Sequence, residues 1–194
     1  NEFIVNTHTD DWQTNSKVVA LQNGDFVIVW DSVYQDGSAH SIHAQQYDAY
    51  ANAIGSEFQI NTYTEHMQST PCAASLSDGG YVVAWESYDQ DGSMGGIYAQ
   101  RFDKNSNLVG SEFQINTYTS GYQQEPIITA LNDGGFVVSW ESHGQDSSYL
   151  GIFSQQYNAN GNAVNSEIQV NNYTHADQQN PSISSLLDGG YIIA

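Results

Sequence analysis

Lysine and arginine are nearly missing from this chain: Lys17, Arg101 and Lys104 stand alone among 194 residues against 22 aspartates and glutamates, for a formal charge of -19. Binding to a phosphate backbone rests on counterion release by Lys and Arg, so nucleic acid is excluded as a partner. Anionic membrane surfaces are excluded on the same ground. The single cysteine, Cys72, has no partner for an internal disulfide and reads as a buried thiol. No apolar run approaches the length of a membrane helix, so no membrane insertion is expected. Helical periodicity is missing too, as are a nucleophile elbow, a phosphate loop and a cysteine–histidine metal cluster.

What is present is repetition. Trp30, Trp85 and Trp140 are 55 residues apart, and Glu2, Glu57, Glu112 and Glu167 keep the same step without insertion or deletion. A period this long marks a supersecondary unit stacked on copies of itself. The units run 2–56, 57–111 and 112–166, with a partial fourth at 167–194, all within one repeat domain, 1–194. No initiator Met or signal peptide opens the chain, and Tyr191 to Ala194 match the mid-strand residues Tyr81 to Ala84, so a piece of a longer array is expected.

Each unit reads as four strands. In the second copy these are Glu57 to Asn61, Pro71 to Leu76, Gly80 to Ser87 and Gly96 to Asp103. Asp78-Gly79-Gly80 supplies a tight turn, matched by Asn23-Gly24-Asp25, Asp133-Gly134-Gly135 and Asp188-Gly189-Gly190. Asn52, Asn107 and Asn162 mark the link to the following unit. In the third strand Tyr81, Val83 and Trp85 point to one side and Val82 and Ala84 to the other, so both faces are apolar and need covering. The fold class is therefore all-β, a β-propeller-like array of four-stranded antiparallel blades. A stack of independent sandwiches is disfavoured, because 55 residues are too few for about seven strands. Three and a half blades form a partial ring, or one that self-association or flanking repeats of a longer chain complete.

The run Glu112-Phe-Gln-Ile-Asn-Thr-Tyr-Thr119, with Gln123-x-x-Pro126, Leu131-Asn-Asp-Gly-Gly-Phe-Val-Val-Ser-Trp-Glu-Ser142, Gln145-Asp146 and Gly151-Ile-Phe-Ser-Gln-Gln-Tyr157, resembles the tandem repeats of very large secreted and cell-surface proteins, RTX-type adhesins among them. The resemblance implies a secreted or cell-surface scaffold or adhesive module, linked to calcium. The glycine-rich calcium nonapeptides of RTX proteins are absent.

Candidate ligand sites follow from the turns and aromatics. Glu86, Asp89 and Asp91 set three carboxylates around a glycine turn, as calcium requires, and Asp36 and Asp146 recur at the same place. The competing reading makes the recurrent Asp a turn cap that accepts backbone N–H bonds. Tyr63, Tyr118 and Tyr173 recur after the first strand and are candidate sugar platforms, with the unrepeated Trp12 and Tyr122 on loops. His40 and His43 have zinc-like spacing, but their equivalents Gly95 and Tyr98 make position 43 an aromatic slot. The acids after Trp30, Trp85 and Trp140 could suggest a glycosidase carboxylate, yet their repetition argues for packing. Asn172-Tyr173-Thr174 is the one glycosylation sequon. The expected role is thus non-enzymatic and structural or adhesive, with a lectin-like carbohydrate-binding propeller as the alternative. Calcium is the expected ion, and a glycan or a cell-surface or matrix protein the expected partner.

Overall fold

A computed structural model describes residues 2–194. Three sheets have four strands each, in chain order from one edge to the other. The first contains β1 (Gln13–Ala20), β2 (Phe26–Val33), β3 (His40–Tyr47) and β4 (Ala53–Gln59). The second contains β5 (Gln68–Ser75), β6 (Tyr81–Tyr88), β7 (Gly95–Phe102) and β8 (Leu108–Gln114). The third contains β9 (Gln123–Ala130), β10 (Phe136–His143), β11 (Leu150–Tyr157) and β12 (Ala163–Gln169), and β13 (Ile183–Ser185) pairs with β14 (Tyr191–Ile193). All pairings are antiparallel, and the described residues contain no helix.

The sheets are the blades of a β-propeller-like fold, but their frame is shifted against the sequence repeat. Glu57 to Gln59 lie at the end of β4, which pairs with β3, so the motif expected to open each unit closes the preceding sheet. Asn107 likewise belongs to the hairpin between β7 and β8, where the Asp103 carboxylate accepts its backbone N–H at 2.9 Å, and does not link two units. A tandem array looks the same from any starting residue, which is why the period could not reveal this phase.

Packing follows the two-faced β6. Tyr81, Val83 and Trp85 face Val27, Val29 and Ile42 of the first blade, while Val82 and Ala84 face Phe136, Val138 and Trp140 of the third. All are buried, and each blade presses an aromatic face onto the aliphatic face of its predecessor. On the first blade, residues near the amino end fill that role: Phe3 packs 5.3 Å from Tyr47, as Phe113 does 5.5 Å from Tyr157. Gly80 is required by closeness, because a methyl there would stand 2.2 Å from the Phe102 carbonyl oxygen.

The innermost strands β1, β5, β9 and β13 are neighbours around a common axis. Lys17, Cys72, Ile127 and Ser182, at one register of the repeat, line the axial cavity together. Cys72 is buried, and burial pushes its thiol up to about 12, so it is an inert packing residue. Ahead of this register each copy has a positive-φ residue, namely Asn15, Thr70 and Glu125 within β1, β5 and β9, and Asn180 before β13. In β1, β5 and β9 the ladder register shifts there, which is a bulge bending the strand at the end of the axis.

If blade-on-blade packing holds the fold, Trp85→Ala should lower unfolding stability by about 3–5 kcal/mol in urea titrations. Trp12→Ala, at a side chain that is 77% exposed, should change it by no more than about 0.5 kcal/mol.

Candidate functional site

The turn aspartates act on their own hairpins. Asp91 accepts the Ser93 N–H at 3.0 Å through one oxygen and the Gln114 side-chain N–H at 2.8 Å through the other. Asp36 does the same with Ser38 and Gln59, and Asp146 with Ser148 and Gln169. Each therefore caps its turn and ties the fourth strand to it. Asp89 has φ 63° and pairs with His66 at 3.4 Å. Among the described residues no three His, Cys, Asp or Glu side chains converge as a metal site, and Asp91 turns its oxygens to Ser93 and Gln114.

The aromatic candidates divide. Tyr63 and Tyr118 are half-buried and Tyr173 exposed, and their carbonyls accept the side-chain N–H of Asn61, Asn116 and Asn171, each at 2.8 Å. Those asparagines also accept the N–H of Ile42, Ile97 and Ile152, so the recurring Asn-x-Tyr segment pins the crossover between blades. His43 is buried against Trp30, with ring centroids 6.4 Å apart, and burial lowers its pKa, as a packed ring requires. Trp12 is exposed, and its carbonyl oxygen accepts the Val33 N–H.

The residue after each repeated Trp proves more informative. Asp31, Glu86 and Glu141 are 0%, 9% and 3% exposed and sit opposite the inner-strand bulges. Asp31 accepts the Thr14 hydroxyl at 2.5 Å and the Asn15 side-chain N–H at 2.8 Å. Glu141 accepts the Gln124 side-chain N–H at 3.1 Å and the Asn180 backbone N–H at 2.6 Å. Glu86 faces Ser69 across the ladder, and no hydrogen bond holds its charged form. Burial pushes its carboxyl up to about 7, with the charges of Glu125 and Glu141 adding to the effect. Glu125, in contrast, is exposed and lines an axial cavity with Asn15, Lys17 and Thr70.

The second blade is unlike the others in a further way. A methyl on Gly95 would stand 2.9 Å from a Glu86 carboxylate oxygen and 3.5 Å from the Tyr122 ring. The same register carries His40 in the first blade, 3.9 Å from Asp31, and Leu150 in the third. The Gln123 carbonyl oxygen, the Glu86 carboxyl and the Tyr122 ring fill the space at Gly95, and of the three acids only Glu86 is buried without a hydrogen-bond donor. The sequence signal was there, in the places where the copies differ.

No protein-family model and no curated protein sequence matches the chain. Among solved structures, an endo-arabinase from Bacteroides thetaiotaomicron superposes with a TM-score of 0.56 and 16% identity, covering 92% of this chain and 68% of its own. A Hadza microbial sialidase superposes with a TM-score of 0.56 and 9% identity, covering 78% of this chain and 36% of its own. The chain therefore spans only part of each, and likeness at this identity shows the propeller-like fold. The adhesin-repeat resemblance gains no matching family model.

These findings correct the expectation of a non-enzymatic structural, adhesive or lectin-like module. The structures that share the fold are named as an endo-arabinase and a sialidase. At Glu86 the repetition itself is broken, since this carboxyl is left without the hydrogen-bond partners that Asp31 and Glu141 keep.

Two measurements test this geometry. Asp91→Ala should cost about 1 kcal/mol through loss of the turn cap. That cost should be the same with added calcium as with chelator. A calcium-dependent cost would restore the metal reading. For Glu86, the pKa is raised on folding from 4.5 to about 7, so the stability it confers is complete below 4.5 and is lost as pH rises through about 7, by about 3 kcal/mol in all. Glu86→Gln should remove this fall, and the variant should melt several degrees above the parent chain at alkaline pH.

Proposed function

We propose that this chain is a carbohydrate-processing propeller that hydrolyses glycosidic bonds, with Glu86 as general acid and Glu125 as general base. The observation that carries the reading is one asymmetric pair of carboxyl groups at the end of the axis. Glu86 is buried and holds its proton close to neutral pH, and the exposed Glu125 beside it raises its pKa further. Paired carboxyl groups whose surroundings drive their proton affinities apart are what glycoside hydrolysis uses. The neighbouring folds of an endo-arabinase and a sialidase support this choice of chemistry.

In the proposed reaction the Glu86 proton passes to the glycosidic oxygen as its bond to the anomeric carbon breaks. Water supplies the oxygen that replaces it, and the water's proton passes to Glu125. Glu141 stays anchored to Gln124 and Asn180 near Glu86. An extracellular setting, where polysaccharides are met, suits the strongly acidic composition.

The test is reducing-sugar release from arabinan and a panel of other neutral polysaccharides. Turnover should fall as pH rises through about 7, where Glu86 loses its proton. Glu86→Gln should lose about 10²–10⁴-fold in rate, the usual contribution of a general acid. Asp146→Asn, a turn-cap change in the third blade, should leave the rate unaltered. Absence of turnover on the whole panel, or a Glu86→Gln variant at full rate, contradicts the assignment.

A further inference from the structure

Among the described residues β14 pairs with β13 alone, whereas β2, β6 and β10 each carry a strand on both sides. Ser182 and Ala194 exchange both of their N–H···O bonds, so the alternate residues Tyr191 and Ile193 aim their N–H and C=O groups at the other edge. An edge of this kind is a template for an added strand.

The side chains around that edge lack partners that their equivalents keep. Phe26, Tyr81 and Phe136 stack on the aromatics that end the neighbouring strand, Tyr47, Phe102 and Tyr157, at 5.2, 5.0 and 4.9 Å with nearly parallel planes. Tyr191 stands at the same register and is left half-buried. Where the second blade meets the first, Tyr98 shares one core with Ile42 and Ile60, and where the third meets the second, Phe153 shares one with Ile97 and Ile115. The equivalents of those aliphatic residues on the third blade are Ile152 and Val170, which line a cavity of about 370 Å³ with Asn171, Gln178, Ile193 and Ala194. Val170, Asn171 and Gln178 are half-buried there, while Ile60, Asn61 and Gln68 are buried. Phe58 and Phe113 pack 5.9 and 5.5 Å from Phe102 and Tyr157, but their counterpart Ile168 is exposed.

We infer that the groove between β14 and the third blade is a docking site for one extended strand with the pattern shared by β3, β7 and β11, supplied by a further copy of the repeat. That pattern is small, Ile, aromatic, small, Gln, polar, aromatic, as in Ser41 to Tyr47, Gly96 to Phe102 and Gly151 to Tyr157. The occupant follows from continuity with the junctions already present. The first aromatic of such a strand reaches Ile152 and Val170, and the last stacks on Tyr191 and meets Ile168. Main-chain bonds to the edge supply the affinity, and the two aromatic slots select the sequence. None of these residues belongs to the carboxyl pair of the hydrolytic reading, and the groove takes a strand whether or not Glu86 is an acid.

The probe is an acetylated, amidated and fluorescently labelled peptide of the β11 sequence, Leu150–Tyr157, whose side chains carry no charge and are not drawn to the acidic chain in general. By fluorescence anisotropy the chain should bind it with Kd below about 1 mM. The amides of Tyr191 and Ile193 should then gain protection from hydrogen exchange. Replacing both aromatics of the peptide with alanine should weaken binding by about tenfold or more. Two chain variants should do the same with unaltered circular dichroism: Tyr191→Ala, which removes the stacking face, and Ile193→Pro, which removes an outward N–H but no bond to β13. No binding at about 1 mM, equal binding of the alanine peptide, binding that survives both chain variants, or binding that leaves the two amides unprotected overturns the site. So does a concentration-dependent dimer that the peptide fails to dissociate and Ile193→Pro abolishes, since the groove then holds a second copy of the chain.

Discussion

The contact on which everything else depends is the press of one sheet's aromatic face onto the next sheet's aliphatic face. Trp85 and Tyr81 have no solvent on their side of β6, and Val82 and Ala84 have none on the other. A sheet apolar on both sides has no stable existence as a lone layer, since its burial comes only from neighbours. That requirement arranges the blades around an axis and brings the four inner strands together.

At the axial end, a recurring backbone device is put to different uses. The bulges on β1, β5 and β9 lie opposite the acid that follows the repeated Trp. In the first blade Thr14 and Asn15 satisfy that acid, and in the third blade Gln124 and the Asn180 N–H do so. In the second blade Ser69 and Thr70 stand in place of Thr14 and Asn15, and the Thr70 hydroxyl is itself buried without a partner. A carboxyl taken out of water without compensating donors keeps its proton. One broken symmetry thus leaves a buried carboxyl without donors, packed beneath the glycine at position 95.

Much of the fold was legible in the sequence because its causes are local. The alternation Tyr81, Val83, Trp85 against Val82, Ala84 fixes a two-faced strand, and Asp78-Gly79-Gly80 fixes its hairpin, with Gly79 at φ 88° and the Asp78 carboxylate accepting the Gly80 N–H at 2.9 Å. The assignment of Glu57 to Asn61 to a blade was not legible, since period carries no phase and only hydrogen bonding with β3 decides it. Asp91 was legible as a ligand-like acid, but not that Gln114, distant in sequence, would take its second oxygen. The proposed site was hidden by a sound rule applied one step too far. Recurrence of the acid argued for packing, while the role proposed for Glu86 depends on residues that do not recur: Gly95 in place of His40 and Leu150, and Glu125 in place of Thr70.

The account turns on Glu86 keeping its proton where its two equivalents are held by donors. Site-specific carbon-13 labelling of the Glu86 carboxyl, followed by NMR across the pH range, reads this directly. The account predicts a midpoint at about 7. A midpoint at the ordinary carboxylate value of 4.5 would show a solvated or hydrogen-bonded side chain and contradict the account at its centre.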